Sequence, residues 1–150
     1  MRQVKAANWF RVTRTLMEVA EHIVNNPVVT PIVVIIDDDA AVTASLRFAL
    51  ETEGLSVKDY QSAAALLAEV DPRRTGCLVI DYLLPGTNGL ELLRTLRSMG
   101  VAAPAIIITT NPGSVLEERV EAAGAEIIEK PLLGNALVEA IRASLNVWSQ

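Results

Sequence analysis

From residue 31 onward, short apolar runs alternate with stretches of helical period. Ile32 to Ile36 is a continuous β-branched run, the pattern of a strand covered on both faces. Val42, Leu46, Ala49 and Leu50 recur at helical spacing within Ala40 to Glu53, and Gly54 supplies a C-terminal cap. Leu55 to Tyr60 reads as a second, weaker strand, and Ser62 caps a helix through Val70. Cys77 to Ile80 forms a third strand with Asp81 at its end. Asn88 and Glu91, at capping-box spacing, open a helix to Met99 that Gly100 closes. Ala105 to Ile108 is a fourth strand ending in Thr109. Ser114 and Glu117 again suggest a capping box, for a helix that Gly124 ends. Glu126 to Glu129 is a short fifth strand, and a last helix runs from beyond Pro131 to about Val147.

This succession of strand–helix units predicts an α/β fold: a doubly wound, five-stranded parallel sheet with helices on both faces. Residues 1–30 form a separate N-terminal helical extension, and residues 31–150 form the sheet-bearing domain. In the extension Trp9, Val12, Leu16, Val19, Ala20, Ile23 and Val24 fall at helical spacing, and Asn25-Asn26-Pro27 ends the run. The apolar stripe of this helix must be buried. It can lie on its own domain, or on a second subunit in a homodimer.

Composition narrows the function classes. Of 150 residues 51% are hydrophobic and 21% charged, which excludes disorder, and the net charge of −5 without a basic run argues against a nucleic-acid surface. The best apolar run, Val28 to Ile36, is broken by Thr30 and Pro31 and ends in aspartates, so no membrane span is expected. A single cysteine, Cys77, allows no internal disulfide; it reads as a buried small hydrophobe in a cytoplasmic protein. Nineteen residues follow Pro131, room for one helix and no output domain, so the output is expected to be a protein–protein contact.

In a doubly wound sheet ligands bind beyond the carboxyl ends of the strands. Those ends are Asp37-Asp38-Asp39, Asp81, Thr109-Thr110 and Lys130-Pro131. Each has an ordinary reading as a cap, turn or surface residue, but together they bring carboxylates, a hydroxyl and an ammonium to one edge. Clustered carboxylates call for a hard cation, and Mg²⁺ suits a site of few carboxylates completed by water. A carboxylate nucleophile with Mg²⁺, a lysine and a hydroxyl is a phosphoryl-handling set. His22, the single histidine, reads as a solvated residue of the N-terminal helix.

Val33-Val34-Ile35-Ile36-Asp37-Asp38, Leu78-Val79-Ile80-Asp81 with Pro85-Gly86 and Gly89, Ile106-Ile107-Ile108-Thr109 and Glu129-Lys130-Pro131 together resemble the receiver domain of two-component response regulators, over roughly residues 31–146. The resemblance implies a flavodoxin-like receiver in which Asp81 takes a phosphoryl group from a histidine kinase or phosphotransfer protein. It implies that Asp37, Asp38, Asp81 and the backbone carbonyl of Leu83 hold Mg²⁺. Thr109 turns toward the phosphate and Lys130 pairs with it, while Asp39 begins the first helix of the domain. Beyond its own phosphorylation and dephosphorylation no enzymatic activity is expected, and the output partner is unknown.

Three positions depart from the family's pattern. Thr110 stands where a small residue is usual, the Thr109–Lys130 stretch is about one residue short, and Ile127 replaces an aromatic residue. They motivate an alternative, a receiver-like binding module that does not switch. A second alternative is a haloacid-dehalogenase-type phosphatase using Asp37, since Asp37-x-Asp39 also follows an apolar strand.

Overall fold

The computed structural model describes residues 2–25 and 29–148. Its elements in chain order are α1 (Arg2–Asn25), β1 (Ile32–Ile36), α2 (Ala40–Thr52), β2 (Ser56–Tyr60), α3 (Ala63–Glu69), β3 (Thr75–Asp81), β4 (Leu83–Leu84), β5 (Thr87–Asn88), α4 (Gly89–Ser98), β6 (Ala105–Thr109), α5 (Ser114–Ala122), β7 (Glu126–Glu129) and α6 (Ala136–Trp148). The parallel sheet has the order β2-β1-β3-β6-β7, the doubly wound arrangement that the alternating pattern predicts.

The β-branched runs are buried end to end because both faces of the sheet are covered. Val34, Ile36, Leu78, Ile80 and Ile107 point to one side, where Leu66 of α3, Leu92, Leu93 and Leu96 of α4 and Val120 of α5 pack on them. Val33, Ile35, Val79, Ile106 and Ile108 point to the other, against Leu50 of α2 and Leu137 and Ile141 of α6. The period-2 alternation of strand side chains thus feeds two separate cores. Arg142 of α6 clasps α2 by donating to the Glu53 carboxylate at 2.8 Å. Cys77 is fully buried, and burial pushes its thiol up to about 11.

Local signals fare unevenly. The Ser62 hydroxyl accepts from the Ala65 N–H at 3.1 Å, and Asn88 Oδ1 accepts from Leu90 and Glu91 N–H, both at 3.0 Å. Gly54 leaves α2 at φ 83°, the left-handed conformation that suits glycine. The second half of the box at Asn88 does not form, because the Glu91 carboxylate pairs with Arg94 at 2.7 Å. The expected cap at Ser114 is displaced by one residue: Ser114 is already helical, Gly113 occupies the cap, and no side chain serves it. The third strand begins at Thr75, two residues ahead of expectation. The turn after Asp81 contains an unexpected two-residue ladder, with Leu83 opposite Asn88 and Leu84 opposite Thr87.

The N-terminal helix forms as predicted, but its apolar stripe is not buried on the chain's own domain. Trp9 is 69% exposed, Leu16 62% and Val19 50%. Burial of the stripe is the expectation from sequence; among the described residues its apolar side chains stay exposed. The Ile23 side chain and Asn26-Pro27 lie outside the described residues. None of the described helices is long and apolar enough to cross a membrane.

Candidate functional site

The carboxyl ends of three adjacent strands and of edge strand β7 converge on one edge of the sheet. Ladder register sets their relative heights: Ile36 opposite Ile80, Asp81 opposite Ile108, Thr109 opposite Glu129. The residues that follow, Asp37 and Lys130, are thereby carried to the level of Asp81.

Asp37 is almost wholly buried, 1% exposed. Its Oδ1 accepts from the Asp39 N–H at 3.0 Å, and its Oδ2 accepts from Lys130 Nζ at 2.8 Å. The same ammonium lies 3.4 Å from Asp81 Oδ2. Asp38 is exposed, and one oxygen from each of Asp37, Asp38 and Asp81 falls within 4.8 Å of the others. Asp39 caps α2, accepting from the Ala41 and Val42 N–H groups at 2.9 and 3.3 Å. Thr109 is buried at the end of β6, and its carbonyl accepts from the Lys130 N–H at 2.7 Å. Leu83 exposes its side chain on β4, two residues beyond Asp81. Of the residues expected at the site, Asp37, Asp38, Asp81 and Lys130 are brought together, Thr109 ends the neighbouring strand, and His22 sits exposed on α1.

The electrostatics are those of two buried carboxylates sharing one ammonium. Burial raises the Asp81 carboxyl above the ordinary range and the charge of Asp37 adds to this, while Lys130 pulls the other way without cancelling it. Burial lowers the Lys130 ammonium, but its hydrogen bond to Asp37 and the charges of Asp81 and Asp37 outweigh that, and its pKa is raised. The cluster is left short of positive charge, and all its free donors are oxygen, which is the chemistry of a hard cation. Three carboxylate oxygens within 4.8 Å of one another are close enough for one such ion to draw on all three.

One residue of the site lay outside the sequence-based expectation of its role. Gly89, the first residue of α4, passes so close to the end of β3 that a Cβ on it would sit 2.8 Å from the Asp81 carbonyl oxygen and 3.1 Å from the Tyr82 Cα. The Gly89 N–H donates to the Tyr82 carbonyl at 2.7 Å, and the Tyr82 N–H donates to the Ile108 carbonyl at 2.8 Å. These bonds pin the backbone around Asp81, and the only trace in the sequence is the Asn88-Gly89 pair in the turn.

The sequence profile of the response regulator receiver domain matches residues 33–142. The chain belongs to the response-regulator receiver family. It is 44% identical over 113 residues to the transcriptional regulatory protein FixJ of Azorhizobium caulinodans, covering 74% of this chain and 53% of that protein. It is 33% identical over 120 residues to the response regulator protein TodT of Pseudomonas putida, covering 79% and 53%. This receiver chain therefore spans about half the length of those curated relatives. Among solved structures, the crystal structure of FixJ-N is similar with a TM-score of 0.70 and 38% identity, covering 77% of this chain and 94% of that one. A CheY-like receiver domain protein from Methanospirillum hungatei has a TM-score of 0.73 and 27% identity, covering 80% and 97%.

Two of the family departures can be placed. Thr110 is exposed just past the end of β6. Ile127 is half-buried and packs into the core beneath α3, α4 and α5.

Proposed function

We propose that this receiver is a phosphorylation-dependent signalling switch acting in the cytoplasm, with Asp81 accepting a phosphoryl group from a histidine kinase or phosphotransfer protein. What supports the reading is the meeting of Asp81 with Asp37, Asp38 and Lys130 at the carboxyl edge of the sheet. Asp81 is the less engaged carboxylate, with Lys130 at 3.4 Å from one oxygen. Asp37, by contrast, has one oxygen engaged by the Asp39 N–H and the other by Lys130, which argues against its use as the nucleophile of a phosphatase.

Asp37, Asp38 and Asp81, with the carbonyl of Leu83, would hold Mg²⁺. When bound, the ion supplies the positive charge that keeps Asp81 ionised and offsets charge on the phosphoryl oxygens. Lys130, already between Asp37 and Asp81, can pass from the carboxylate to a phosphoryl oxygen without leaving its place. The buried Thr109 hydroxyl offers a donor on the other flank. The chain catalyses its own phosphorylation and dephosphorylation and no other reaction, and it signals by contact with an output protein. With a net charge of −5 it does not itself engage nucleic acid.

The test is incubation with a small acyl phosphate and Mg²⁺, read by intact mass. One alkali-labile phosphoryl group is expected; Asp81→Asn abolishes it and Asp37→Asn weakens it. An undiminished adduct on Asp81→Asn overturns the assignment. The packed Ile127 favours one further reading, a receiver that binds its partner regardless of phosphate. It requires partner binding to be equal for the phosphorylated and unphosphorylated chain.

A further inference from the structure

We propose that α1 is a self-association element: two copies of the chain pair their α1 helices antiparallel, with a two-fold axis passing between Met17 and Glu18. This goes beyond the phosphorylation chemistry and does not depend on it.

The first observation is the apolar surface. At 100° per residue, Val19, Val12, Leu16, Trp9, Met17 and Phe10 fall in order across roughly one half of the helix circumference. All six are half or more exposed. Helices in proteins are sustained mainly by packing of an apolar face rather than by propensity, yet among the described residues the apolar face of this one stays exposed. Its first turn carries no acidic residue, so it gains nothing from its dipole there. This apolar face, about 22 Å long from Trp9 to Val24 and broken only by Thr13, whose hydroxyl turns back onto the Trp9 and Phe10 carbonyls, is what a second helix would cover.

The second observation says which partner fits. Charges on the described part of α1 are ordered along the chain: Arg11 and Arg14 come first, Glu18 and Glu21 follow. Arg14 and Glu21 both border the Met17–Phe10 edge of the apolar face. The Val19 edge is bordered by Thr15 and His22. In a parallel pair unlike edges meet, and Arg14 and Glu21 would face Thr15 and His22. In an antiparallel pair like edges meet. With the axis between Met17 and Glu18, Arg14 then faces Glu21 of the second copy, the reciprocal pair repeats the contact, and Leu16 lies opposite Val19 of the second copy. One register therefore satisfies both the charges and the apolar layer, which is the self-complementarity of an isologous interface. The in-chain contact between Arg14 and Glu18 is loose, 3.6 Å with both side chains largely exposed, and leaves Arg14 free to turn outward.

The test uses the full chain and reads mass by light scattering and sedimentation. A dimer is expected. Leu16→Glu should make it monomeric while the cooperative melt of the sheet domain is kept. Arg14→Glu should raise the dimer dissociation constant about tenfold, and Arg14→Glu with Glu21→Arg should restore most of it. Both variants lose the Arg14–Glu18 contact, so recovery reports on the contact between copies. Under mild oxidation a mixture of Phe10→Cys and Val24→Cys chains should cross-link to each other, and Phe10→Cys alone should not; Cys77 is fully buried and does not compete. A monomeric wild type overturns the proposal. So does a dimer indifferent to Leu16→Glu, a double charge variant no tighter than the single one, or self-linking of Phe10→Cys, which would mark a parallel pair.

Discussion

Replacing Asp81 by Asn in metal-free protein should stabilise it, because the folded chain ionises this carboxyl against the local field. Lys130 Nζ lies 3.4 Å from Asp81 Oδ2, an attraction of about 5 kcal/mol at an effective dielectric constant near 20. The Asp37 oxygen within 4.8 Å repels by about 3.5 kcal/mol on the same scale. The exposed Asp38 repels further through solvent, so the Coulomb balance favours the charge by less than about 1.5 kcal/mol, while taking a carboxylate out of water costs several kcal/mol. Burial, the largest influence on Asp81, therefore prevails, and its pKa is raised. A neutral isostere should gain on the order of 1–3 kcal/mol at neutral pH. The sign with pH follows. A carboxyl whose folded pKa lies above its unfolded value of about 3.9 binds more protons folded than unfolded between those values, so wild-type stability falls as pH rises through that window and then levels off. The advantage of Asp81→Asn should thus be absent at about pH 4, grow with pH and reach a plateau. Urea titrations in chelator across that range measure it. Millimolar Mg²⁺ should raise the wild-type midpoint and leave the variant nearly unmoved. A variant less stable than wild type at neutral pH without metal, or an advantage independent of pH, would refute the reasoning.

Lys130→Met should cost about 3–5 kcal/mol in metal-free urea titrations, since it strands the buried Asp37 carboxylate, and Mg²⁺ should return part of it. Because the Lys130 pKa is raised, the stabilisation it provides is fully present below about pH 10.4 and is lost as pH rises through the folded value. Gly89→Ala should destabilise by about 1–3 kcal/mol, less about 0.5–1 from better helix propensity, because the atom it meets is the Asp81 backbone oxygen. Its adduct should also form more slowly by intact mass, and a variant as stable as wild type would show that the backbone yields freely. Gly113→Ser should stabilise by about 0.5–1 kcal/mol in thermal melts, because the cap of α5 lacks a side chain and a Cβ there meets nothing within 4 Å.

The sheet was legible because its strands are covered on both faces, so Ile32–Ile36, Cys77–Ile80 and Ala105–Ile108 stand out as unbroken runs whatever the tertiary detail. The cluster at the strand ends was legible for a topological reason: a doubly wound sheet delivers Asp37, Asp81, Thr109 and Lys130 to one edge regardless of the loops between them. What escaped depends on distances that no pattern encodes. The β4–β5 ladder is two residues long on each side, too short for periodicity. The cap of α5 was misplaced by one residue because Ser114 and Glu117 have capping spacing, yet the chain enters the helix one residue earlier. The role of Gly89 rests on a contact of tenths of an ångström. The fate of the α1 stripe was unreadable because none of the other described residues takes it up.

The bond between Lys130 and Asp37 joins residues 93 positions apart, and it can form only after β7 has docked on β6 at the far side of the sheet. Closing so long a loop is entropically unfavourable and is offset only when the intervening strands are already paired. Chemical competence is in this way a late event in the life of the polypeptide. A nascent chain that has completed β1 and β3 has its carboxylates but no Lys130 ammonium among them. On the proposed function, the lysine at the tip of the last strand ties responsiveness to signal to a finished fold.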